Sequence, residues 1–346
     1  MKFLPFPEHY KERNCYDHGY IPNINADFQK KANIWRKKHN IKNAAADSKK
    51  IKILSIDNQR DFNFPEGSMY VAGRTGTGAM DAQKNTVEFI YKNLNRITDI
   101  ISTLDTHYLN QIFFSICHLD QNNENPEPGT VISHEDYKTG KFRANPAIAK
   151  DLGCNPVLLN KQYTYYCGEL EKDGKHQLMI WPYHCLFGSP GNSPSGVIDE
   201  AIRFHSLVRR ASDICRSKGE SPYTENYSIF APEVKTFYDG SPLPKVSKNF
   251  DIIKTLIDSD VVVILGQAAS HCVKESVKDL LNEIKSHNRD LLDKVYILKD
   301  CTSAVVIPGV FDFTDIADKA MAEFENEGMH IVESTTLMED WPNIKL

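Results

Sequence analysis

Residues 261–267, VVVILGQ, run directly into AASHCVKESVKDLLNEIKSH (268–287), and this pair of segments decides the predicted fold. The first segment is an uninterrupted apolar run of strand length, which is typical of a strand buried on both faces. The second segment has the spacing of a helix, with its apolar residues on one stripe: Val273, Val277, Leu280, Leu281 and Ile284. A buried strand that leads through a short turn into an amphipathic helix is the repeating unit of a helix-covered parallel sheet.

The same alternation extends in both directions along the chain. Further strands are predicted within IKILSID (51–57), ITDIISTLDTH (97–107), HQLMIWPYHC (176–185) and VYILKDCTSAV (295–305), and a helix within residues 81–96. Residues 197–213 have no clear assignment from the pattern. We therefore expect a three-layer α/β/α domain of Rossmann-like type with a mostly parallel central sheet.

Two regions lie outside this alternation. Residues 1–49 are polar and lysine-rich, and we interpret them as an N-terminal extension with one helix after Asp27. Its apolar stripe, Phe28, Ala32 and Trp35, is expected to pack on the main domain of residues 50–346. Residues 108–175 are rich in Asn, Pro, Gly and Tyr with few periodic runs, which indicates a long insertion. Long loops of this kind are usually functional, so a lid or an oligomer contact is predicted.

The composition favours an ordinary soluble globular protein. Of 346 residues, 41% are hydrophobic and 25% charged, and the net charge of −5 gives no electrostatic reason to expect nucleic acid or an anionic membrane as partner. No apolar run approaches the ~18 residues of a membrane span. Pro5 and Pro7 interrupt the apolar start, so no signal peptide is predicted and a cytoplasmic location is expected. The eight cysteines form no CxxC pair, which favours reduced thiols.

Polar residues at the ends of the predicted strands are the candidates for chemistry, because active sites of parallel sheets lie at the carboxyl ends of the strands. Lys218 follows a region of uncertain structure, and the other candidates follow or end predicted strands. The full set is Asp57, Asp105, His107, His184, Lys218 and Cys272.

Cys272 is placed in the first turn of the predicted helix. The positive end of the helix dipole, helped by a cation such as Lys218, would lower the pKa of its thiol. Asp57 would then exchange protons with it, and the turn GQAASHC would offer backbone N–H groups to an oxyanion. By spacing alone, an inert buried cysteine at a strand–helix junction remains the more frequent alternative.

Asp105 and His107 form a D-x-H spacing that directs both side chains at one divalent metal, and His184 would supply a third ligand. Three protein ligands leave positions for water or substrate, as catalytic metal sites require. The alternative is that Asp and His merely cap turns.

Five motifs occur in a fixed order along the chain. They are D-x-Q-x-D-F at Asp57–Phe62, D-x-H at Asp105–His107, W-P-x-H-C at Trp181–Cys185, K-G at Lys218–Gly219 and G-x-A-x-x-x-C-V at Gly266–Val273. In this order they resemble the isochorismatase-like cysteine hydrolases. W-P-x-H-C together with D-x-H resembles the nicotinamidases within that superfamily.

The resemblance implies an isochorismatase-like fold and a metal-containing cysteine amidohydrolase. Asp57 would act as general base and acid, Lys218 would poise the thiolate, and Cys272 would attack an amide carbon to give an acyl-thioester and ammonia. A cis peptide before Ala268 would direct the Ala268 N–H, with that of Cys272, at the oxyanion. Phe62 and Trp181 would form the walls that bind the ring of the substrate. Asp105, His107 and His184 would hold a metal ion, for which zinc is expected first and iron or manganese next.

The substrate implied is nicotinamide or a related heteroaromatic amide, which would place the enzyme in NAD metabolism and pyridine-nucleotide salvage. Residues 108–114 lack the additional histidine of some family members, so three protein ligands are expected. The insertion and the extension are departures from the family pattern. Two alternatives therefore stay open, namely another hydrolase of the superfamily with a retuned pocket and a non-catalytic binding member. By analogy, a homo-oligomer is also possible.

Overall fold

The computed structural model describes residues 3–172, 175–246 and 249–346. The described residues form twelve strands: β1 (Ile51–Ile56), β2 (Asp99–Asp105), β3 (His118–Asp120), β4 (Val131–Ile132), β5 (Phe142–Ala144), β6 (Leu178–Met179), β7 (Asp213–Lys218), β8 (Val261–Gly266), β9 (Val295–Leu298), β10 (Val306–Ile307), β11 (Phe311–Asp312) and β12 (His330–Val332). They also form ten α-helices: α1 (Ala26–Lys38), α2 (Arg60–Asn63), α3 (Gly78–Lys92), α4 (His134–Lys138), α5 (Pro146–Asp151), α6 (Pro156–Lys172), α7 (Gly196–Arg209), α8 (Phe250–Ile257), α9 (Cys272–His287) and α10 (Thr314–Glu327).

Six strands form the central sheet in the order β12-β9-β8-β1-β2-β7, and each neighbouring pair is parallel. Numbered along the chain, this order is the 3-2-1-4-5-6 arrangement of doubly wound α/β folds. The chain leaves β1 toward one edge and later returns to build the other half from β8. The switch point, where ligands bind in such sheets, therefore lies between β1 and β8. The predicted parallel α/β architecture is confirmed.

Helices cover both faces of this sheet, because successive strand residues point to opposite sides. In β8, Val261, Val263 and Leu265 pack in the cluster that contains residues of α1, α3 and α7. Val262 and Ile264 belong to the cluster with α8, α9 and α10. Burial on both sides is the reason for the uninterrupted apolar run that predicted this strand.

The strand predicted within residues 176–185 is not part of the central sheet. Only Leu178–Met179 is extended there, and it pairs antiparallel with β4. The position beside β2 is occupied by β7, Asp213–Lys218, which the pattern did not identify. β7 is an edge strand with mostly exposed side chains, so its sequence, DICRSK, carries little hydrophobic signal. The unassigned residues 197–213 contain α7, and β12 continues the sheet beyond the predicted last strand.

Residues 3–49 pack against the domain as their apolar stripe predicted. Helix α1 begins at Ala26, one residue before Asp27, because the Asn25 side chain accepts the N–H groups of Asp27 and Phe28. Phe28, Ala32 and Trp35 are buried in the cluster shared with α3 and α7. None of the described helices is long and apolar enough to cross a bilayer.

The extension is also held by Arg209, a fully buried side chain at the end of α7. Its guanidinium donates to the Lys42 carbonyl at 2.6 Å and to Asp47 Oδ1 at 2.5 Å. The Asp47 carboxylate additionally accepts the Thr98 hydroxyl at 2.7 Å. A partly buried ion pair with further hydrogen bonds thus connects the N-terminal extension to the sheet.

The insertion at residues 108–175 contains α4, α5 and α6 and three short strands, although its sequence has few periodic runs. Its polar residues suggested loops because several of them cap helices. Ser133 and Asp136 form a capping box at the start of α4, and Asn145 caps α5. Tyrosines 137, 163 and 166 are buried in a cluster that reaches Phe62 and Trp181. The roles as lid or oligomer contact stay predictions.

Candidate functional site

Four buried polar side chains meet at the carboxyl edge of the central sheet, at its switch point. Asp57 follows β1, Asp105 ends β2, Lys218 ends β7 and Cys272 begins the helix after β8. The register of β2 with β7 places Asp105 directly opposite Lys218. Each of the four residues is at most 6% exposed. The strand-end rule therefore selected residues that the fold does bring together.

The Lys218 ammonium is the centre of this group. Its Nζ lies 2.9 Å from Asp105 Oδ1, 3.0 Å from Asp57 Oδ2 and 3.5 Å from Cys272 Sγ. It also donates to the Asn226 carbonyl at 2.9 Å. Burial alone would lower the pKa of Lys218, but the Asp105 and Asp57 carboxylates raise it well above its usual value. Lys218 is therefore a fixed cation that neutralises the two carboxylates.

The two carboxylate oxygens of Asp57 have different partners. Its backbone has φ +45°, and its N–H donates to Thr103 Oγ1 at 3.1 Å. The Thr103 hydroxyl in turn donates to Oδ1 at 2.5 Å, while Oδ2 lies 3.0 Å from the Lys218 ammonium. Burial raises the pKa of Asp57, and Lys218 only partly offsets that rise. A carboxylate with a raised pKa, within 4.8 Å of the Cys272 sulfur, is suited to accept a proton.

The thiol of Cys272 has a pKa well above its usual value, which is opposite to the lowered pKa predicted from its helix position. Burial is the main cause, the Lys218 ammonium opposes it, and the Asp57 and Asp105 carboxylates add to it. The position itself, at the first residue of α9, is as predicted. A protonated resting thiol means that the nucleophile has to be generated by transfer of its proton to a base.

The turn before Cys272 has two backbone donors available. The Gln267–Ala268 peptide is cis, as the resemblance implied. The Ala268 carbonyl accepts the N–H groups of His271 and Val273 at 3.0 and 3.1 Å. The N–H groups of Ala268 and Cys272 donate to no other group in the described part of the chain, and both residues line the central cavity.

Asp105, His107 and His184 form a compact set of buried ligand atoms that lie within 4.8 Å of one another. Nε2 of His107 is 3.0 Å and Nε2 of His184 is 3.9 Å from Asp105 Oδ2. Each ring has its Nδ1 against a backbone carbonyl, Gly219 at 3.2 Å and Pro182 at 2.8 Å respectively. Carbonyl oxygens only accept, so in the neutral rings Nδ1 carries the proton and the Nε2 lone pairs face Asp105.

Lone pairs that converge in this way need a cation between them, and this is the arrangement of a divalent metal site. Nε2 of His107 has no hydrogen-bond partner among the described residues, although a carboxylate oxygen is near. The donor set therefore fits a metal ion. A second group of possible ligand atoms, Asp57, Asp105 and Cys272, differs because the Lys218 ammonium already touches all three.

His184 does not end a strand as predicted. It lies in a loop that runs parallel to the residues after β2, where the His107 N–H donates to the Cys185 carbonyl at 3.0 Å and Phe187 returns a bond to the His107 carbonyl at 2.9 Å. Asp61 holds the same loop, since its Oδ2 accepts the Cys185 N–H at 2.6 Å. Tertiary contacts rather than the sheet bring His184 to the metal ligands.

Three residues of the site were not assigned by the sequence. Gln59 bonds both the N–H and the carbonyl of Asp105 at 2.7 Å, and Asp61 orients the His184 loop. Both lie inside the D-x-Q-x-D-F motif, which was the available signal. Glu225 lines the cavity in the loop after β7, where no local pattern marks it. Burial raises the pKa of Glu225 to about 7, with His107 opposing and Asp105 reinforcing that rise.

The cavity in front of these residues encloses about 410 Å³ of space, part of it open to solvent. Phe62 and Trp181 line it as expected, and the other apolar walls come from Met69, Val71, Tyr227 and Val305. Asp105, His184 and Cys272 supply its polar end. A cavity with apolar walls and a few convergent polar groups suits a flat uncharged ring.

The fold is similar to solved structures of nicotinamidases and pyrazinamidases. A nicotinamidase/pyrazinamidase from Acinetobacter baumanii is 16% identical over 83% of this chain and 98% of that one, with a TM-score of 0.47. The yeast nicotinamidase is 18% identical over 82% of this chain and 99% of that one, with a TM-score of 0.49. The pyrazinamidase of Pyrococcus horikoshii, solved in complex with zinc, is 19% identical over 82% of this chain and 99% of that one, with a TM-score of 0.42. No protein-family model and no curated protein matches the sequence. Similarity this low assigns no activity, and the side-chain geometry has to supply it.

Proposed function

We propose that this chain is a cysteine amidohydrolase that cleaves the carboxamide of nicotinamide or of a related heteroaromatic amide. The observation that carries the proposal is the contact of one buried ammonium, Lys218, with Asp57, Asp105 and Cys272. This contact joins a base, a nucleophile and a metal-ligand group at one edge of the sheet. An inert buried cysteine would need neither a buried carboxylate nor a buried cation beside it.

In the first half of the reaction, Asp57 takes the proton of the Cys272 thiol on Oδ2 and the thiolate attacks the carboxamide carbon. Lys218 stabilises the thiolate, and the N–H groups of Ala268 and Cys272 bind the oxyanion. The carbon–nitrogen bond then breaks, Asp57 returns the proton to the leaving nitrogen, and ammonia departs. An acyl-thioester on Cys272 remains.

In the second half, water enters the position that ammonia left. Asp57 takes a proton from the water as its oxygen attacks the thioester carbon. The sulfur–carbon bond breaks, the proton returns to Cys272 Sγ, and the carboxylic acid is released. The raised pKa of Asp57 suits both halves, since the same carboxylate has to accept and to return a proton.

Asp105, His107 and His184 would hold a divalent metal. Two imidazoles and a carboxylate favour zinc, with iron and manganese as further candidates. When bound, such an ion supplies a Lewis acid that can bind the ring nitrogen of the substrate, directly or through water. Phe62 and Trp181 would bind the faces of the ring, and Glu225 adds a buried carboxyl group to the lining of the same cavity.

The test is ammonia release from nicotinamide, pyrazinamide and benzamide. Wild type is expected to release ammonia from the first two, and Cys272→Ala to lose at least about a thousandfold in kcat because the nucleophile is gone. Cys215→Ala, which removes an exposed cysteine, is the matched control and should keep full activity. If folded, metal-loaded wild type releases no ammonia from any amide, the proposal fails. Benzamide, which lacks the ring nitrogen, should be a poorer substrate.

The metal is tested by its content as well as by activity. Purified wild type should hold close to one equivalent of divalent metal, and His184→Asn should lose most of it while keeping its secondary structure. His287→Asn, a change at an exposed histidine, is the control. Wild-type metal content in His184→Asn would contradict the ligand assignment.

The same amide panel separates the remaining alternatives. A hydrolase with a retuned pocket would release ammonia from other amides but not from nicotinamide, and a non-catalytic member would release none. The place in NAD metabolism and pyridine-nucleotide salvage, the cytoplasmic location, the homo-oligomer and the absence of nucleic-acid and membrane partners stay predictions.

A further inference from the structure

A second cavity adjoins the catalytic one. It encloses about 510 Å³ of space that opens to solvent, and it shares Trp181, Tyr227 and His271 with the catalytic cavity. None of the proposed catalytic steps uses it. Its remaining walls are Val131, His176, Gln177, Met179, Phe311 and Phe313.

The three shared residues are aromatic rings that line both cavities. The Trp181 indole N–H donates to the Tyr227 hydroxyl at 3.2 Å. The His271 ring meets Trp181 edge-on at 5.7 Å and lies 5.3 Å from Tyr227. His271 immediately precedes the nucleophile, and its ring lines both the catalytic cavity, which contains Cys272, and the second cavity. The second cavity, here called the outer cavity, is therefore positioned to bind part of the same substrate.

The histidines of the outer cavity are uncharged. His176 stacks on His271 at 4.6 Å and 18°. Lys274 donates to His176 Nε2 at 2.8 Å, and burial together with this lysine lowers the pKa of His176 to about 4. Burial also lowers the pKa of His271 well below its usual value. Lys274 itself is paired with Glu275 at 2.9 Å, so it offers no free charge to a ligand.

Hydrogen bonding also fixes His271. Its Nδ1 lies 2.8 Å from Ser270 Oγ, which accepts the Val305 N–H at 3.1 Å. Ser270 therefore connects the His271 ring to the backbone of Val305. A ring held in this way is a rigid surface for stacking.

The outer side of this cavity is aromatic too. Phe311 and Phe313 stack at 5.8 Å and 22°, and Phe313 meets His271 edge-on at 4.8 Å. Val131, on strand β4 of the insertion, is 38% exposed at the rim. Rings on several sides and no unpaired charge among the lining residues favour a flat uncharged guest, since a charged group would lose hydration without gaining a partner.

We propose that the outer cavity binds an uncharged aromatic group attached to the carboxamide substrate, so that the preferred substrate is an aryl-extended heteroaromatic amide. The attachment is through the heteroaromatic ring or through the amide nitrogen. The inference rests on the proposed amidohydrolase function for the position of the carboxamide at Cys272. The bonds that form and break are unchanged, with an arylamine replacing ammonia when the aryl group is on nitrogen.

The first measurement compares kcat/KM for nicotinamide, for nicotinamides with a phenyl group on the ring and for N-phenylnicotinamide. Hydrolysis of the ring-substituted compounds is measured as ammonia release, and hydrolysis of N-phenylnicotinamide is measured as aniline release. The products therefore distinguish the two attachments. At least one extended amide should exceed nicotinamide in kcat/KM by about tenfold, the order expected for filling an apolar subsite.

Two variants address the outer cavity without touching the proposed catalytic residues. Phe311→Ala removes a wall, and Val131→Trp fills the space from the rim. Both should lower kcat/KM for the preferred extended amide by about tenfold, mainly through KM, and leave nicotinamide within about twofold. Phe6→Ala, which removes a partly exposed ring of the N-terminal extension, is the matched control and should affect neither substrate.

Binding to Cys272→Ala, measured by calorimetry, separates this inference from the proposed function. If no amide is hydrolysed but the extended amide binds and Val131→Trp weakens that binding, the proposed function fails and the outer subsite stands. If nicotinamide is hydrolysed but extended amides are no better, or if both variants affect the two substrate classes equally, the inference is overturned.

Discussion

The Lys218 ammonium lies 2.9 Å from Oδ1 of Asp105, and this contact connects the nucleophile to the metal ligands. The other oxygen of the same carboxylate faces the two histidines. Asp105 is therefore shared between the two halves of the site. Burial alone would raise the pKa of Asp105, and the Lys218 ammonium opposes that rise.

Replacing Asp105 by Asn is expected to make the Cys272 thiol more acidic. The Asp105 carboxylate contributes to the raised pKa of that thiol, so its removal should favour the thiolate beside Lys218. Alkylation by iodoacetamide, followed against pH in chelator-treated protein, should give a lower apparent pKa for Asp105→Asn than for wild type. His184→Gln also weakens the metal site but keeps the carboxylate, and it serves as control. Identical profiles for all three proteins would contradict the coupling.

Lys218→Met is expected to abolish activity and to lower the free energy of unfolding by about 3 to 5 kcal/mol, because it leaves two buried carboxylates without their cation. Adding Asp57→Asn should restore part of the stability but none of the activity. Denaturant unfolding with parallel ammonia assays measures both effects. Lys37→Met, at an exposed position, should stay within about 0.5 kcal/mol of wild type. A stable and active Lys218→Met would refute the assigned role.

Arg209→Met is expected to destabilise the protein by about 2 kcal/mol, because the partly buried Asp47 carboxylate and two backbone carbonyls lose the guanidinium that they bind. Arg210→Met is the matched control. The Arg210 guanidinium is exposed and donates to Asn33 Oδ1 at 2.8 Å. In protein that remains folded, kcat/KM should be unchanged by either variant. Equal unfolding midpoints for the two variants would show that the ion pair does not anchor the extension.

The raised pKa of Glu233 leads us to expect that the stability of the protein depends on pH. Burial raises its pKa from 4.5 to about 7, with Lys175 opposing the rise. Between these values the unfolded chain has released the proton that the folded protein keeps, so stability falls as pH rises from about 4.5 and the loss is complete above about 7. At about 1.4 kcal/mol per unit the loss is about 3 kcal/mol. Glu233→Gln should lack this contribution.

The measurement is the free energy of unfolding of wild type and Glu233→Gln at about pH 5 and about pH 8. The variant should gain stability relative to wild type at the higher pH. A difference between the two proteins that does not change with pH would show that Glu233 ionises normally.

The sequence by itself determined the core of the fold. The apolar runs at 51–57 and 261–267 and the stripe of α9 are local patterns, and burial on both faces of a parallel sheet imposes them. The ends of the predicted strands, including the one within residues 97–107, also selected Asp57, Asp105 and Cys272, since parallel strands place their carboxyl ends at one edge of the sheet. Edge strand β7 escaped detection because its side chains are mostly exposed and follow no apolar pattern.

Only the tertiary structure decided the rest. His184 and Glu225 reach the site from loops, whose paths depend on hydrogen bonds such as that between Asp61 and the Cys185 N–H rather than on local periodicity. The pKa of the Cys272 thiol likewise follows from its burial and from charges on three other strands, whereas its helix position alone predicted the opposite direction. Local sequence sets which elements form, and the packing of distant segments sets the electrostatics of the residues they carry.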